Sequence, residues 1–228
     1  METDSSKVKN ALKLKVCGMK HAANLKELLE LAPDYIGFIF FPESPRYMAK
    51  TLAPADLQRV PENIKKTGVF VNADTEAMLT IAQEYQLNAL QLHGTESPEQ
   101  CRVLKAAGYE IIKVFGIGGA GFDFRQLAPY KPHVHHFLFD TKTQHHGGSG
   151  QAFDWDILQQ YDNEIPFFLS GGISLENIDQ IGLLKETNLY AIDVNSRFET
   201  APGQKNMGSL QQLKEKLCKI NEEIGSSQ

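Results

Sequence analysis

Two residues stand where an apolar run ends, and their side chains could exchange protons with a carbon substrate. Cys17 closes the run at 14–17 and is followed by Gly18, which lets the backbone turn and leaves the thiol at a pocket mouth. Asp140 closes the run FLFD, where partial desolvation would favour the protonated carboxyl that a general acid needs near neutral pH. Other interpretations stay open, because a free cysteine is often simply buried and an aspartate often caps a turn.

Two further turns have the composition of an anion site. Gly171 and Gly172 lie in SGGIS, and Asn195 and Ser196 begin NSRF. Backbone N–H groups in such turns bind phosphate after the last strands of an α/β barrel. We therefore favour phosphate binding over two simple tight turns.

One arginine has a geometry that suits a carboxylate, and a group of histidines raises the question of metal. Arg46, in FPESPR, could pair with a carboxylate through its planar fork, although a solvated surface arginine is the commoner case. We expect no metal site, because the histidines lack helical spacing and a nearby carboxylate set; they are His133, His135, His136, His145 and His146.

The elements that must position these residues alternate between short apolar runs and amphipathic stretches. Eight runs predict strands at 14–17, 35–40, 66–71, 89–92, 111–115, 136–140, 167–170 and 190–194. Helical periodicity follows at 24–31, 75–85, 98–107, 175–184 and 210–220. Eight such units predict an α/β fold, a single (β/α)8 TIM barrel, whose chemistry lies at the carboxyl ends of the strands. We assign 13–220 to the barrel, 1–12 to a polar N-terminal extension and 221–228 to a C-terminal tail.

Composition narrows the partners of this 228-residue chain. The net charge of -5 with scattered Lys and Arg argues against nucleic acid and against an anionic membrane. No apolar run suggests a signal peptide or a membrane helix. Three cysteines without metal spacing suit a reducing compartment, so we expect a cytoplasmic protein. A monomer is the default expectation, with a homodimer left open.

Taken in order, the motifs resemble one family. KVCGM, GFIFFPESPR, QLHG, FLFDT followed by GGSG, FLSGGIS and DVNSRFE extend over about 13–217 and together are similar to the phosphoribosylanthranilate isomerase family of tryptophan biosynthesis. The resemblance implies the Amadori rearrangement of an N-aryl phosphoribosylamine, a small sugar phosphate. No cofactor is implied, because the protonated Schiff base is itself an electron sink.

The resemblance also implies roles for individual residues. It makes Cys17 the general base, Asp140 the general acid and Arg46 the partner of the anthranilate carboxylate. Gly171, Gly172, Asn195 and Ser196 then hold the phosphate, mostly through backbone donors. Two positions depart from the family pattern: Lys20 stands where threonine is common, and Arg197 where many members have the glycine of DVSSG.

Two alternatives remain at this point. Neighbouring barrels that handle similar phosphates, indole-glycerol-phosphate synthase and the ProFAR isomerase, need other acid/base sets: lysines with glutamates, or two aspartates. A catalytically silent, phosphate-binding barrel would keep the phosphate turns but lose the acid/base pair. Cys17 together with Asp140 favours the isomerase.

Overall fold

Eight parallel strands form a closed barrel in a computed structural model that describes residues 11–118, 121–141 and 153–226. Each strand pairs with the next along the chain, and β1 pairs with β8. The predicted TIM barrel is thus confirmed. The strands are β1 Lys13–Val16, β2 Tyr35–Ile39, β3 Lys65–Phe70, β4 Ala89–Leu92, β5 Glu110–Ile117, β6 His136–Thr141, β7 Phe167–Leu169 and β8 Leu189–Val194.

The strands form where the sequence predicts them, because both faces of a parallel barrel strand are buried and its residues are almost all apolar. β2 and β7, for example, read YIGFI and FFL and are buried along nearly their whole length. The ends of the strands differ from the predicted ends by at most two residues.

Helices cover the outside of the first half of the barrel and its closing seam. They are α1 Ala22–Leu31, α2 Pro54–Leu57, α3 Thr75–Glu84, α4 Pro98–Ala106 and α5 Met207–Ser226. At the start of α4, Ser97 accepts a hydrogen bond from the backbone of Gln100, and the Gln100 side chain accepts one from the backbone of Ser97. This capping box fixes where that helix begins.

The second half of the barrel uses 3-10 segments between its strands. They lie at Phe124–Leu127, Lys131–His133, Trp155–Gln160 and Ile178–Leu184. The α-helix predicted at 175–184 is wrong in type: the structure has the 3-10 segment Ile178–Leu184. Gly182 lies inside it and has low helix propensity, which weakens the case for a regular α-helix.

The C-terminal boundary also differs from the prediction at 220. Helix α5 continues to Ser226. Within it, the Asn221 side chain accepts a hydrogen bond from the Leu12 backbone N–H at 2.7 Å and donates one to the Leu12 carbonyl at 3.1 Å. Position 221 is therefore part of the packed barrel, and so is Leu12, which is buried.

The barrel interior is layered, because alternate residues of every strand point inward. An apolar layer contains Ala89, Ile112, Leu138, Phe168 and Ala191. Gln91 and Asp193, two residues beyond Ala89 and Ala191 towards the carboxyl ends of β4 and β8, are buried and polar, as are Lys15 on β1 and Thr67 on β3. Polar and charged side chains therefore lie inside the barrel beneath its mouth.

A small hairpin that the sequence patterns did not predict follows β8. A 3-10 turn, Ser196–Phe198, leads into the antiparallel strands β9 Glu199–Ala201 and β10 Gln204–Lys205. The hairpin brings Glu199 and Lys205 next to the mouth of the barrel. Among the residues that the structure describes, no helix has the length and apolar character needed to cross a bilayer.

Candidate active site

A pocket opens at the carboxyl ends of the strands, with an empty volume of about 840 Å³ counted out to the solvent at its mouth. All seven site residues predicted from the sequence line it, and they come from five different strand ends. They are Cys17, Arg46, Asp140, Gly171, Gly172, Asn195 and Ser196. Its size and position are those of a small-molecule site in a TIM barrel.

Cys17 lies directly after β1 and is buried. Its backbone N–H donates to the Val194 carbonyl at 2.9 Å, which prolongs the pairing of β1 with β8. Gly18 then takes a φ of +80°, so the sharp turn expected there is present. On β2, Gly37 leaves the space that the thiol occupies, since a Cβ at that position would lie 2.6 Å from Sγ.

Three buried charged groups act on the Cys17 thiol. Burial raises its pKa above the ordinary value, while the ammonium groups of Lys15 and Lys205 work in the opposite direction and the carboxylate of Asp193 adds to the rise. Lys15 and Asp193 form an ion pair, with Nζ 2.8 Å from Oδ1. Cys17 therefore lies among fixed charges rather than in a purely apolar pocket.

Asp140 faces the same pocket from the other side of the ring, at the end of β6. Its Oδ1 accepts a hydrogen bond from the Thr141 N–H at 2.8 Å, and its Oδ2 lies 3.5 Å from Nε2 of His93. His93 in turn lies 3.4 Å from the amide nitrogen of Gln91. The carboxyl group is thus held on one oxygen by backbone and approached on the other by an imidazole.

Gln91 also contributes an unused acceptor. Its Oε1 atom is buried and has no hydrogen-bond partner among the described residues, and the side chain lines the pocket. A buried acceptor without a partner is costly unless something donates to it. A hydroxyl group of a bound molecule could satisfy it.

A buried ion pair fixes the loop that carries His93. Lys113 donates to Glu96 at 3.0 Å and to the Gly94 carbonyl at 2.8 Å. Glu96 accepts from the backbone N–H groups of Gly94 and Asn72. Because Lys113 and Glu96 are both hydrogen-bonded, the loop after β4 is fixed, and it holds His93 beside Asp140.

Arg46 reaches the pocket from the loop after β2, already paired with Glu199 of the hairpin. Burial alone would raise the pKa of Glu199, but the hydrogen bonds from Arg46 and the charge of Lys205 hold it below its usual range. Nη1 of Arg46 makes no hydrogen bond to the described residues. One edge of the guanidinium therefore binds protein, and the other edge remains available to a ligand.

The two predicted phosphate turns meet at one side of the pocket. Gly171 and Gly172 have φ of +84° and +68°, conformations that favour glycine. Among the described residues, none accepts a hydrogen bond from the backbone N–H of Gly171, Gly172 or Ser196. Asn195 is held by Lys205, whose Nζ donates to its Oδ1 at 2.8 Å.

The two departures from the family pattern take different places. Lys20 donates to the Pro45 carbonyl at 3.0 Å and packs where Gly203 leaves room for it, so it braces three loops beside Cys17. Arg197 is exposed and lines the pocket next to Ser196.

Metal-ligand geometry is absent among residues 11–118, 121–141 and 153–226, where no group of three His, Cys, Asp or Glu side chains could hold an ion. His145 and His146 lie outside the described residues, as does the GGSG segment. His136 begins β6 at the opposite end of the barrel.

Several residues of the site were not among those predicted from the sequence. Lys15 and Asp193 could have been noticed from the sequence, because each is the only charge in its predicted apolar run, 14–17 or 190–194. His93 stood at a strand end in QLHG. No sequence pattern marked Glu199 and Lys205, because they reach the pocket through a hairpin that was not predicted.

Fold and pocket together define a TIM-barrel enzyme, with polar side chains gathered at the carboxyl ends of the strands. Over residues 14–216 the chain matches the family described as N-(5'phosphoribosyl)anthranilate (PRA) isomerase. The N-(5'-phosphoribosyl)anthranilate isomerase of Parabacteroides distasonis is 42% identical over 215 residues, which are 93% of this chain and 96% of that protein. This chain belongs to the PRA isomerase family, and its role is the isomerase reaction of tryptophan biosynthesis.

Solved structures agree with this assignment. The phosphoribosyl anthranilate isomerase from Thermotoga maritima is 33% identical, with a TM-score of 0.78 over 91% of this chain and 98% of that one. A second such isomerase, in complex with reduced 1-(o-carboxyphenylamino)-1-deoxyribulose 5-phosphate, is 30% identical, with a TM-score of 0.72 over 88% and 95% of the two chains. The family assignment decides against the two neighbouring barrel families.

Proposed function

We propose that the isomerase reaction proceeds by general acid/base catalysis, with Asp140 as the acid and Cys17 as the base. The observation that carries this proposal is that both side chains line one pocket, from β1 and β6 on different sides of the ring. A ring opening and a carbon deprotonation need a proton donor and a proton acceptor on one substrate, which two groups on separate strands can supply.

The proton transfers balance over a turnover. Asp140 protonates the furanose ring oxygen, the bond from C1 to that oxygen breaks, and the aryl nitrogen forms a protonated Schiff base with C1. Cys17, as thiolate, removes the proton from C2, and the electron pair gives an enolamine. Ketonisation then removes the C2 hydroxyl proton and adds a proton at C1. Asp140 takes up one proton and Cys17 gives one up, so both groups return to their starting states.

Recognition of the substrate uses the two ends of the pocket. Arg46 binds the anthranilate carboxylate with the edge of the guanidinium that Glu199 does not occupy. Gly171, Gly172, Asn195 and Ser196 bind the phosphate, with their backbone N–H groups as donors. The N–H groups of Gly171, Gly172 and Ser196, which have no acceptor within the part of the chain that the structure describes, support this division, as do the glycine conformations.

The protonated Schiff base serves as the electron sink, so the chemistry calls for no cofactor. The three free cysteines support a reducing, cytoplasmic location. We also infer that the chain is a monomer, since Leu183 is the one large apolar side chain that is mostly exposed among the described residues.

The test is the decay of phosphoribosylanthranilate fluorescence with the purified protein. Cys17→Ala and Asp140→Asn should each lower kcat by about 10²- to 10⁴-fold, the usual worth of one general acid or base. Cys218→Ala, which removes an exposed thiol far from the pocket residues, is the matched control and should match wild type. Inactive but folded wild-type protein would instead favour a silent, phosphate-binding barrel.

A further inference from the structure

Lys15 occupies a special position relative to Cys17. The two residues are two apart on an extended segment, so their side chains point to the same side, into the barrel. In the register of the neighbouring strands, Lys15 lies directly opposite Asp193. The Lys15 side chain is fully buried and the Asp193 side chain nearly so, with Nζ 2.8 Å from Oδ1.

The ion pair fixes the ammonium group beneath the thiol. Burial alone would lower the pKa of Lys15, but the charges of Asp193 and Cys17 outweigh it, so the net direction is upward. Burial raises the pKa of Asp193, and the charge of Lys15 opposes that rise. Lys15 therefore keeps its proton, and the pair is almost entirely shielded, with side-chain exposures of 0% for Lys15 and 5% for Asp193.

Lys205 approaches Cys17 from the hairpin. Its side chain is fully buried, and Nζ donates to Asn195 Oδ1 and to Glu199 Oε1, each at 2.8 Å. The backbone of Lys205 is also fixed, because its N–H donates to the Asn24 side chain at 2.6 Å. Burial lowers the pKa of Lys205, while Glu199 works against this change.

The charged groups around the Cys17 thiol come from three different strands. Strand β1 contributes the ammonium of Lys15, β8 the carboxylate of Asp193 and β10 the ammonium of Lys205. On strand β2, Gly37 lies against the thiol and adds no charge. Two cations and one carboxylate thus act directly on Cys17, and the charge of Lys205 is shared with its ion-pair partner Glu199.

We propose that Lys15, anchored by Asp193, is a positioning residue that stabilises the thiolate of Cys17, with Lys205 as a second cation. This role rests on the proposed function of Cys17 as the base. A buried thiol without these neighbours would resist ionisation, because burial disfavours the charged form. A lysine held in place supplies the compensating charge without taking part in bond making.

The role can be measured on the thiol itself, without turnover. The ultraviolet absorbance of the thiolate is titrated with pH, and the curve of Cys17→Ser protein is subtracted to remove Cys101 and Cys218. We expect Lys15→Met to shift the Cys17 titration upward by about one to three pH units, the usual effect of one close opposite charge. In Lys15→Arg, which retains the charge, the Cys17 titration should stay close to that of wild type.

The pH dependence of activity provides a second test of the role of Lys15. The acid limb of the kcat/KM profile should move to higher pH in Lys15→Met, with a loss of about tenfold or more at neutral pH that recovers as the pH rises. A purely structural role of Lys15 would lower activity equally at every pH. Lys216→Met, which breaks an exposed pair with Asp179, is the matched control and should leave both curves unchanged.

Removing Lys15 alone leaves Asp193 buried without a partner, so a second variant guards against misfolding. Lys15→Met with Asp193→Asn removes both charges, and the thiol titration should still move upward, by less than in Lys15→Met. An unchanged titration in the folded variants would overturn the role of Lys15. Wild-type activity in Cys17→Ser would instead overturn the proposed base, and the thiol titration would still decide the effect of Lys15.

Discussion

Glu199 holds Arg46 at the edge of the pocket, with Nε 3.0 Å from both carboxylate oxygens and Nη2 2.7 Å from Oε2. A guanidinium held in this way keeps its fork in one plane before any carboxylate binds. If Arg46 binds the anthranilate carboxylate as proposed, the pair lowers the side-chain entropy lost on binding, because the guanidinium is already held in place.

Replacing the guanidinium of Arg46 should therefore weaken substrate binding more than it slows the chemical step. Arg46→Lys retains the charge but loses the planar, two-point contact, and we expect KM to rise about tenfold or more with a smaller change in kcat. Glu199→Gln should raise KM by less, since it frees the guanidinium without removing it. Steady-state kinetics measure both. Arg125→Lys, in an exposed pair with Asp123, serves as the control, and a fall in kcat at constant KM would contradict the binding role.

Gly37 has no side chain, and the Cys17 thiol occupies the space that a side chain at this position would fill. In Gly37→Ala, the new Cβ would lie 2.6 Å from Sγ and 3.0 Å from Cα of Cys17, so the cysteine must move. We expect kcat to fall by at least about tenfold, and stability to fall by about 1–3 kcal/mol from overpacking.

Thermal unfolding and the fluorescence assay measure these two effects. Gly182→Ala is the matched control, because a Cβ there meets no atom within 4 Å. Its activity should equal that of wild type. Unchanged kcat in Gly37→Ala would mean that the position of the Cys17 side chain is not critical.

The opposite end of the barrel has a polar cluster around Glu110. The carboxylate accepts a hydrogen bond from the Tyr35 hydroxyl at 2.9 Å, forms an ion pair with Lys65 and lies 3.2 Å from Nδ1 of His136. Burial works to raise the pKa of Glu110, but the nearby imidazole of His136 and the ammonium group of Lys65 outweigh it and lower the pKa from 4.5 to about 2.

A lowered carboxyl pKa is a contribution to stability that depends on pH. It is fully present above pH 4.5, where the unfolded chain would also be ionised, and is lost as the pH falls from 4.5 to about 2. We expect Glu110→Gln to lower the free energy of unfolding by up to about 3 kcal/mol at neutral pH, and by much less near the acid end of that range.

Urea unfolding at the two pH values measures this difference. Glu99→Gln, in an exposed pair with Arg102, is the control and should change little at either pH. An equal loss at both pH values would show that Glu110 acts by packing rather than by its charge.

The inferred monomer is a further prediction. Sedimentation equilibrium should give the chain mass of 25.5 kDa across a wide concentration range. Leu183→Lys should behave in the same way as wild type, because a single exposed leucine does not form an apolar interface. A mass twice that value, restored to one chain by Leu183→Lys, would instead identify a homodimer around this residue.

Strand positions could be predicted from the sequence because burial on both faces leaves a clear mark, a short and nearly unbroken apolar run such as FLFD. Cys17 and Asp140 could be found for the same reason, since each stands where such a run ends. The type of the segment after β7 could not be predicted, because Ile178–Leu184 has apolar residues at spacings that fit an α-helix and a 3-10 helix alike.

The partners within the site were harder to predict, because they depend on contacts between distant parts of the chain. Lys15 and Asp193 are visible as charges in the apolar runs 14–17 and 190–194, but only the register of β1 against β8 makes them a pair. Lys205 and Glu199 depend on a hairpin of five strand residues with no alternating pattern to mark it.

Asn221 and Leu12 exchange two hydrogen bonds although they are 209 positions apart in the chain. They tie helix α5 to the start of β1, the strand that closes the ring by pairing with β8, the last strand of the barrel. Contacts between such distant positions form slowly, since the long loop between them must first lose its freedom. During synthesis on the ribosome, the first seven strands therefore keep an open edge until β8 emerges and pairs with β1, and the contacts of α5 form after that.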